Sequence, residues 1–299
     1  MTTYAPIVLF AYARPEHTKR TIESILKNAE ASETEIYIYI DHPKNNSNAK
    51  LNQEVIDICE NIKGFKSKKI IKRESNFGLA RNIISGVSEI INSHGKTIVM
   101  EDDMVVSNHF LNFMNNALDR YKNESKVWHI TGWNYPCDLA ISDDAFFWRG
   151  MNCWAWATWS DRWVRFSKDP EALLKCWDKK TIRKFNIDGT HNFFSQVKGN
   201  ANGRLNTWAI FWYATIFEND GLCLNPRNSL VNNIGNDGSG VHCGDYDPFQ
   251  TKITDFKVCN LPKDIYESKE ALNAIKIFYK KTFPNIFVRA LRKLKRKLS

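Results

Sequence analysis

The sequence lacks a long apolar segment. Of its 299 residues, 43% are hydrophobic, yet no apolar run approaches the roughly 20 residues that a membrane-spanning helix needs. The first residues, MTTYAPIVLF, lack the basic region of a secretory signal peptide and pass directly into a predicted strand. The composition therefore favours a cytoplasmic globular protein over an integral membrane protein or a secreted one.

Paired cysteines are also absent. The seven cysteines are odd in number and scattered, and no two of them form a C-x-x-C pair. This spacing is typical of a chain that stays reduced in the cytosol, and it argues against a zinc site and against a disulfide framework.

Excess positive charge is scarce outside the C-terminal tail. The formal net charge is +9, but residues 289–299 (RALRKLKRKLS) hold six basic residues and no acid, which leaves +3 for the rest. We therefore predict no nucleic-acid-binding face. From Phe287 onward, apolar residues at spacings of four, three and four would form one helical stripe with cations around it. This pattern predicts an amphipathic C-terminal helix that associates peripherally with the anionic inner face of the cell membrane.

Strands and helices alternate through the N-terminal part. Apolar strands are predicted at residues 6–12, 35–40, 68–72 and 97–100, and amphipathic helical spacing fills the three intervals between them. Such alternation predicts an α/β fold with a mixed, mostly parallel sheet.

Three consecutive acids, Glu101, Asp102 and Asp103, end the fourth predicted strand. Buried carboxylates without a partner cost several kcal/mol, roughly, even after the structure relaxes. Open α/β sheets bind ligands at the carboxyl ends of their strands, and hard oxygen ligands suit Mg²⁺ or Mn²⁺. A lone acidic triplet is more often a solvated turn than a metal site, so the other features along the chain decide between the two interpretations.

Four features in order resemble the glycosyltransferase A fold, a Rossmann-like nucleotide-sugar-binding domain. They are the FAYARP segment of the first strand, Asp41 at the end of the second, the N-x-G-x-A-R-N box at 76–82 and the acidic strand end. The last is similar to the D-x-D motif, or to E-D-D in the branch resembling N-acetylglucosaminyltransferase I. The resemblance covers residues 5–130 well and continues more weakly through a tryptophan-rich half similar to family-2-like bacterial transferases.

The resemblance implies a role for each matching residue. Asp103 would bind the divalent metal, Mn²⁺ or Mg²⁺, while Asp102 and Glu101 would contact ribose or metal-bound water. Asp41 would accept the N–H of a pyrimidine base, and Arg14 would be a cation near the base or the phosphate.

Three further residues complete the predicted donor site. Asn76 and Arg81 belong to the N-x-G-x-A-R-N box, and Arg81 starts a helix, where a guanidinium and backbone N–H groups together suit an anion. His242 lies in a glycine-rich segment and resembles a histidine near the phosphate or metal of similar transferases. Each of these residues also has an ordinary structural interpretation, as a turn former, a salt-bridge partner or a structural histidine.

The second half is rich in tryptophan. WRGMNCWAWATWSDRW, residues 148–163, holds five tryptophans among polar residues and a glycine. Flat apolar faces beside hydrogen-bonding groups suit a sugar ring, although tryptophan is also a common core residue. We predict that Trp159 and Trp163 belong to the core and that Trp154 and Trp156 lie near the sugar.

The catalytic base is not fixed by the resemblance. Inverting transfer needs a carboxylate that takes the proton of the acceptor hydroxyl. In the resembling branch this base precedes a tryptophan at a helix start, but here Asn206 and Thr207 precede Trp208. The candidates by neighbourhood are Asp161, in WSDRW, and Glu218, at the end of a predicted helix.

The predicted function is metal-dependent transfer of a sugar from a nucleotide-sugar donor to a glycan or lipid-linked acceptor in bacterial surface polysaccharide synthesis. Inversion is expected, but retention stays an alternative because the base is not identified. Residues 1–130 would bind the donor, 131–265 the acceptor, and 266–299 would form C-terminal helices with the membrane tail. One alternative is a nucleotidyltransferase that makes nucleotide sugars, but ARPEHTKR after the first strand lacks the glycine-rich phosphate loop such an enzyme needs. The other is a non-catalytic carbohydrate-binding protein, which would not need the acidic strand end or Asp41.

Overall fold

The computed structural model describes residues 4–237 and 247–283. The strands of this part are β1 (Ile7–Ala11), β2 (Glu35–Ile40), β3 (Ser67–Lys72), β4 (Lys96–Glu101), β5 (Met104–Val106), β6 (Val127–Thr131), β7 (Ala145–Trp148), β8 (Trp156–Trp159), β9 (Leu222–Pro226) and β10 (Val231–Asn233). The helices are α1 (Pro15–Leu26), α2 (Asn46–Asn61), α3 (Gly78–His94), α4 (Phe110–Arg120), α5 (Ser160–Trp163), α6 (Pro170–Cys176), α7 (Lys179–Phe185), α8 (Phe194–Ala201), α9 (Ala209–Glu218) and α10 (Lys269–Thr282), with a 3-10 turn at Ala29–Glu33.

Eight strands form one sheet in the order β3-β2-β1-β4-β8-β6-β9-β7, and β5 and β10 form a separate antiparallel pair. The first four strands of that order are parallel to one another. Strand β8 then runs antiparallel to both β4 and β6, so β4 and β6 point the same way. Strand β9 is parallel to β6, and β7 closes the edge in the antiparallel direction. The predicted class, α/β with a Rossmann-like mixed, mostly parallel sheet, is confirmed.

Burial explains why β1 lies inside the sheet, between β2 and β4. All five residues of β1 are buried, as a strand covered on both faces requires. Pro15 occupies the first turn of α1, where its missing N–H costs no hydrogen bond. Gly95 ends α3 at φ +76°, a left-handed conformation that lets the chain turn directly into β4.

Tryptophans pack against both faces of the sheet. The predictions that Trp159 and Trp163 belong to the core are confirmed, since they are 5% and 4% exposed. Trp156 is 1% exposed and stacks between His129 and Trp208, with ring centroids 5.3 Å from each. The prediction that Trp156 lies near a sugar is therefore wrong: its indole is enclosed by other rings.

The sheet continues across the predicted segment boundary at residue 130, because β8 pairs with both β4 and β6. The division into donor-binding and acceptor-binding segments stays a prediction about function. Within the described residues, no helix combines the length and the apolar character needed to cross a bilayer.

Candidate active site

The acidic strand end, Glu101 to Asp103, lies where β4 leaves the sheet. Glu101 is the last residue of β4 and pairs in register with Phe10 of β1. Asp102 accepts a hydrogen bond from the backbone N–H of Tyr12 at 3.3 Å, and its own carbonyl accepts one from the Thr21 hydroxyl at 2.8 Å. The loop after β1 and the helix α1 therefore hold this turn, and Asp102 and Asp103 are only 8% and 9% exposed.

Arg14 is the cation that meets the acidic strand end. Its Nη1 donates to Asp103 Oδ2 at 3.1 Å. The other two guanidinium nitrogens, Nε and Nη2, are buried and find no hydrogen-bond partner among residues 4–237 and 247–283, and neither does Asp103 Oδ1. Buried polar atoms are rarely left without partners, so these orphaned donors and this acceptor indicate a site built for a polar ligand.

The electrostatics of the three acids show the same deficit of positive charge. Burial, followed by repulsion from Asp103 and Asp102, raises the pKa of Glu101 to about 8. Burial and the charge of Asp103 raise the pKa of Asp102 to about 7, and burial raises the pKa of Asp103 although Arg14 opposes the shift. One guanidinium does not offset three carboxylates, and an additional cation would favour their ionised forms.

The segment after β10 covers this pair. The backbone N–H of Ile234 donates to the carbonyl of Asp103 at 2.9 Å. A Cβ atom on Gly235 would lie 2.2 Å from Asp103 Oδ2 and 2.6 Å from Arg14 Nη2, so only glycine permits this approach. Residues 234–235 thus form one wall of the site, and the prediction for His242, further along, lies outside the described residues.

His17 is a site residue that sequence reasoning missed. It lies one helical turn after Arg14 on α1, and its Nε2 is 3.0 Å from Asp237 Oδ2. Residues three apart share a helix face, so the R-P-E-H spacing was a usable signal once Arg14 had been selected.

Asp41 and Asn76, which the resemblance assigns separately to the donor site, lie in contact in the structure. Asp41 accepts hydrogen bonds from the backbone N–H groups of His42, Phe77 and Gly78 at 3.0, 2.8 and 2.9 Å, and from Asn76 Nδ2 at 3.2 Å. These four donors match the acceptor capacity of a carboxylate. Asp41 therefore orders the turn that begins α3, and its direct contact with a base stays a prediction.

Arg81 lies on the exposed side of the same turn. Its guanidinium stands 3.9 Å from the centre of the Phe77 ring, and Arg73 stands 4.8 Å from that ring. The anion at the start of α3 in this structure is Asp41, so Arg81 reaches solvent rather than an enclosed phosphate site. Its contact with a donor stays a prediction.

The two candidate bases do not lie at the acidic strand end. Asp161 follows Trp159, which pairs with Lys96 at the amino end of β4, and a six-residue strand is about 17 Å long. Its carboxylate pairs instead with Arg162.

Glu218 lies at the same, amino edge of the sheet. It precedes Leu222, which pairs with Val127 at the start of β6, and its Oε1 accepts a hydrogen bond from Trp177 at 2.9 Å. A proton transfer at the acidic strand end by either residue is incompatible with this placement. Both residues were selected as bases because they lie near the site in the sequence. The directions of β8 and β9, however, place them at the amino edge of the sheet, opposite the acidic strand end.

Asp102 and Asp103 suit a divalent ion whose remaining ligands come from phosphate and water. No three His, Cys, Asp or Glu side chains within the described ranges converge as a complete metal-binding group. Mg²⁺ and Mn²⁺, however, commonly bind through one or two carboxylates together with phosphate oxygens and water. The buried, unpartnered Oδ1 of Asp103, next to Asp102, meets that requirement.

Comparisons with known proteins give only remote likenesses. No protein-family model matches the chain, and no curated protein matches it. Among solved structures, TarS of S. aureus aligns at 8% identity and TM-score 0.44 over 76% of this chain and 36% of TarS. The mannosyltransferase PcManGT from Pyrobaculum calidifontis, solved with GDP-Man and Mn²⁺, aligns at 8% identity and TM-score 0.40 over 73% of this chain and 70% of PcManGT. An active-site mutant of LgtC aligns at 10% identity and TM-score 0.38 over 71% of this chain and 70% of LgtC. Likenesses of this size assign no function to the chain.

Proposed function

We propose that this protein is a metal-dependent glycosyltransferase that moves a sugar from a nucleotide-sugar donor to a glycan or lipid-linked acceptor in bacterial surface polysaccharide synthesis. One observation carries the proposal: the partly buried Arg14–Asp103 pair at the carboxyl end of β4 has polar atoms on both side chains that find no partner among the described residues. A diphosphate and its metal ion offer the matching chemistry, oxygen acceptors for the guanidinium and a cation for the carboxylate.

Each residue has a distinct task in this scheme. Asp103 would hold the divalent ion, with Asp102 beside it contacting ribose or metal-bound water, and the ion would neutralise the charge that develops on the departing nucleoside diphosphate. Arg14 Nε and Nη2 donate to phosphate oxygens and orient the leaving group. Gly235 keeps side-chain atoms out of the space beside this pair, and Asp41 fixes the turn at Asn76 to Gly78 that borders the nucleotide.

The loop between β1 and α1 also favours glycosyl transfer over nucleotidyl transfer. The loop between β1 and α1 holds its site through one side chain, Arg14, and through the N–H of Tyr12, which is bonded to Asp102. A nucleotidyltransferase would need backbone N–H groups of a glycine-rich loop there to hold a triphosphate.

The test is binding of nucleoside diphosphates with and without Mn²⁺. We expect UDP, GDP or dTDP to raise the melting temperature in the presence of Mn²⁺ and to lose that effect in excess chelator. At a hundred times its dissociation constant, a ligand adds about 2.7 kcal/mol of stability, which corresponds to roughly 5 °C for a chain of this size.

Asp103→Asn should remove the metal-dependent part of that shift, while Asp119→Asn, an exposed acid paired with Lys122, serves as the matched control. Undiminished Mn²⁺-dependent binding by Asp103→Asn would refute the metal assignment. Release of pyrophosphate from a nucleoside triphosphate and a sugar phosphate, rather than of a nucleoside diphosphate from a nucleotide sugar, would instead favour the nucleotidyltransferase.

A further inference from the structure

A small aromatic cavity opens next to the candidate active site. It encloses about 230 Å³, and its walls include Trp133, Trp148, Asn152, Trp154, Tyr213 and Phe249. Pockets for drug-sized ligands usually measure about 300–1,000 Å³, so this cavity suits a single ring rather than an oligosaccharide.

The topology places this cavity at the same edge of the sheet as Asp103. Trp133 follows the end of β6, and Asn152 and Trp154 precede the start of β8. The first residue of β8, Trp156, pairs with Val99 of β4 and with Thr131 of β6, which lie near the carboxyl ends of those strands. The walls of the cavity therefore project from the ligand-binding edge.

Two hydrogen-bond donors on the cavity walls have no partner. Asn152 Nδ2 and Trp133 Nε1 are buried and unpartnered, and the two residues are 8% and 3% exposed. In contrast, the hydroxyls of Tyr135 and Tyr279, also on the walls, bond each other at 2.9 Å. An unmade buried hydrogen bond is costly, so the free donors call for acceptor oxygens on a ligand.

The walls carry no formal charge. No Asp, Glu, Lys, Arg or His is among the described residues that line the cavity. Burial raises the pKa of Cys153, another wall residue, to about 12, with a further contribution from the charges of Glu101 and Asp103. A ligand carboxylate here would lose its hydration without meeting a cation, which is unfavourable by several kcal/mol, roughly.

We propose that this cavity is a subsite for one uncharged sugar ring, which stacks on Trp154, the partly exposed tryptophan of the walls, accepts hydrogen bonds from Asn152 and Trp133, and is not replaced by a uronic acid. The inference rests on the proposed function and names the substrate class of that site. The ring belongs either to the donor or to the acceptor, and both sources share the same chemistry.

The experiment compares neutral sugars with matched acids in two arms. In the first, ligand-observed NMR titrations measure binding of the methyl glycosides of glucose, galactose and mannose and of the methyl glycosides of glucuronate and galacturonate, with and without UDP and Mn²⁺. In the second, UDP-glucose is compared with UDP-glucuronate, and GDP-mannose with GDP. We expect at least one neutral sugar to bind tenfold or more tightly than its acid. Preference in the first arm assigns the ring to the acceptor, and preference confined to the second assigns it to the donor.

Two variants test the hydrogen-bond donors of Asn152 and Trp133. Asn152→Leu should weaken binding of the preferred sugar at least fivefold, the change that corresponds to about 1 kcal/mol. It should leave the melting temperature unchanged or raised, because the lost N–H donor had no partner in the protein. Trp133→Phe should weaken binding similarly, whereas Trp128→Phe, whose indole donates to Ser125 away from the cavity, should not.

Equal binding of neutral and acidic sugars, or unchanged sugar binding by folded Asn152→Leu and Trp133→Phe, overturns the subsite. If nucleotide and Mn²⁺ still bind in that case, the proposed function stands and only the cavity assignment fails. If nucleotides do not bind but neutral glycosides do, the cavity assignment stands and the proposed function fails.

Discussion

His129 makes the stability of this protein depend on acid pH in a way that can be calculated. Its ring is completely buried, with Nδ1 3.1 Å from the indole nitrogen of Trp212 and Nε2 3.0 Å from the carbonyl oxygen of Asn152. An indole nitrogen can only donate, so Nδ1 is the acceptor and Nε2 carries the hydrogen that Asn152 receives. The neutral ring satisfies both neighbours, and burial lowers its pKa from 6.5 to about 3.

Stability falls with falling pH because the folded and unfolded states bind the proton of His129 at different pH values. Because the folded pKa lies below the unfolded one, the unfolded chain binds the proton first as the pH falls, and stability is lost from pH 6.5 downward until about pH 3. At pH 5 the loss is about 2 kcal/mol, from a shift worth about 1.4 kcal/mol per pKa unit. Glu101 and Asp102 act in the opposite direction, since acids with raised pKa gain stability as the pH falls through about 8 and 7.

A variant comparison isolates the histidine from these acids. The amide of His129→Gln can donate to Asn152 and accept from Trp212 but does not titrate. We expect urea unfolding at pH 7.5 and pH 5, followed by tryptophan fluorescence, to show that wild type loses about 2 kcal/mol more than His129→Gln over this interval. His94→Gln, at an exposed position, should follow wild type. If the difference in free energy of unfolding between wild type and His129→Gln is the same at pH 7.5 and pH 5, within about 0.5 kcal/mol, the burial of a neutral His129 does not make stability depend on pH.

Four further predictions concern the site and the tail. Gly235→Ala should weaken metal-dependent nucleotide binding at least tenfold, because its Cβ would collide with the Arg14–Asp103 pair; an unchanged dissociation constant by calorimetry would contradict that wall. Asp41→Asn should lower the free energy of unfolding by about 1–3 kcal/mol, since an amide would face N–H donors, and denaturant titration tests this. Asp161→Asn should retain normal turnover, because its carboxylate lies at the amino edge of β4; a hundredfold fall in kcat with intact donor binding would restore it as the base. Deleting residues 286–299, which hold the six basic residues of the tail, should abolish salt-sensitive co-sedimentation with anionic vesicles; failure of the intact chain to co-sediment would exclude the anchor.

The sequence indicated those parts of the candidate site that follow the ends of neighbouring parallel strands. The acidic strand end and Arg14 were identified from strands that are parallel neighbours, β1 and β4, whose carboxyl ends must meet at one edge. Asp41 and Asn76 were assigned to the donor site separately, and the structure shows that they lie in contact. The bonding of Asp41 was not predicted, because nothing in the order of residues shows that the turn at Phe77 and Gly78 folds back onto it.

The sequence by itself determined the alternation of strands and helices, the α/β class and the position of the acids at the end of a buried strand, because each depends on local periodicity and on the cost of burying charge. Only the tertiary structure decided which edge of the sheet each later residue reaches. Strand β8 runs antiparallel to β4 and β6, which places Asp161, after its end, at the amino edge and Asn152, before its start, at the carboxyl edge. Strand β9 is parallel to β6, so Glu218, which precedes β9, lies at the amino edge, while Trp133, which follows β6, lies at the carboxyl edge. Strand direction is set by long-range pairing rather than by local sequence, and so the catalytic neighbourhood could not be predicted from neighbouring residues along the chain.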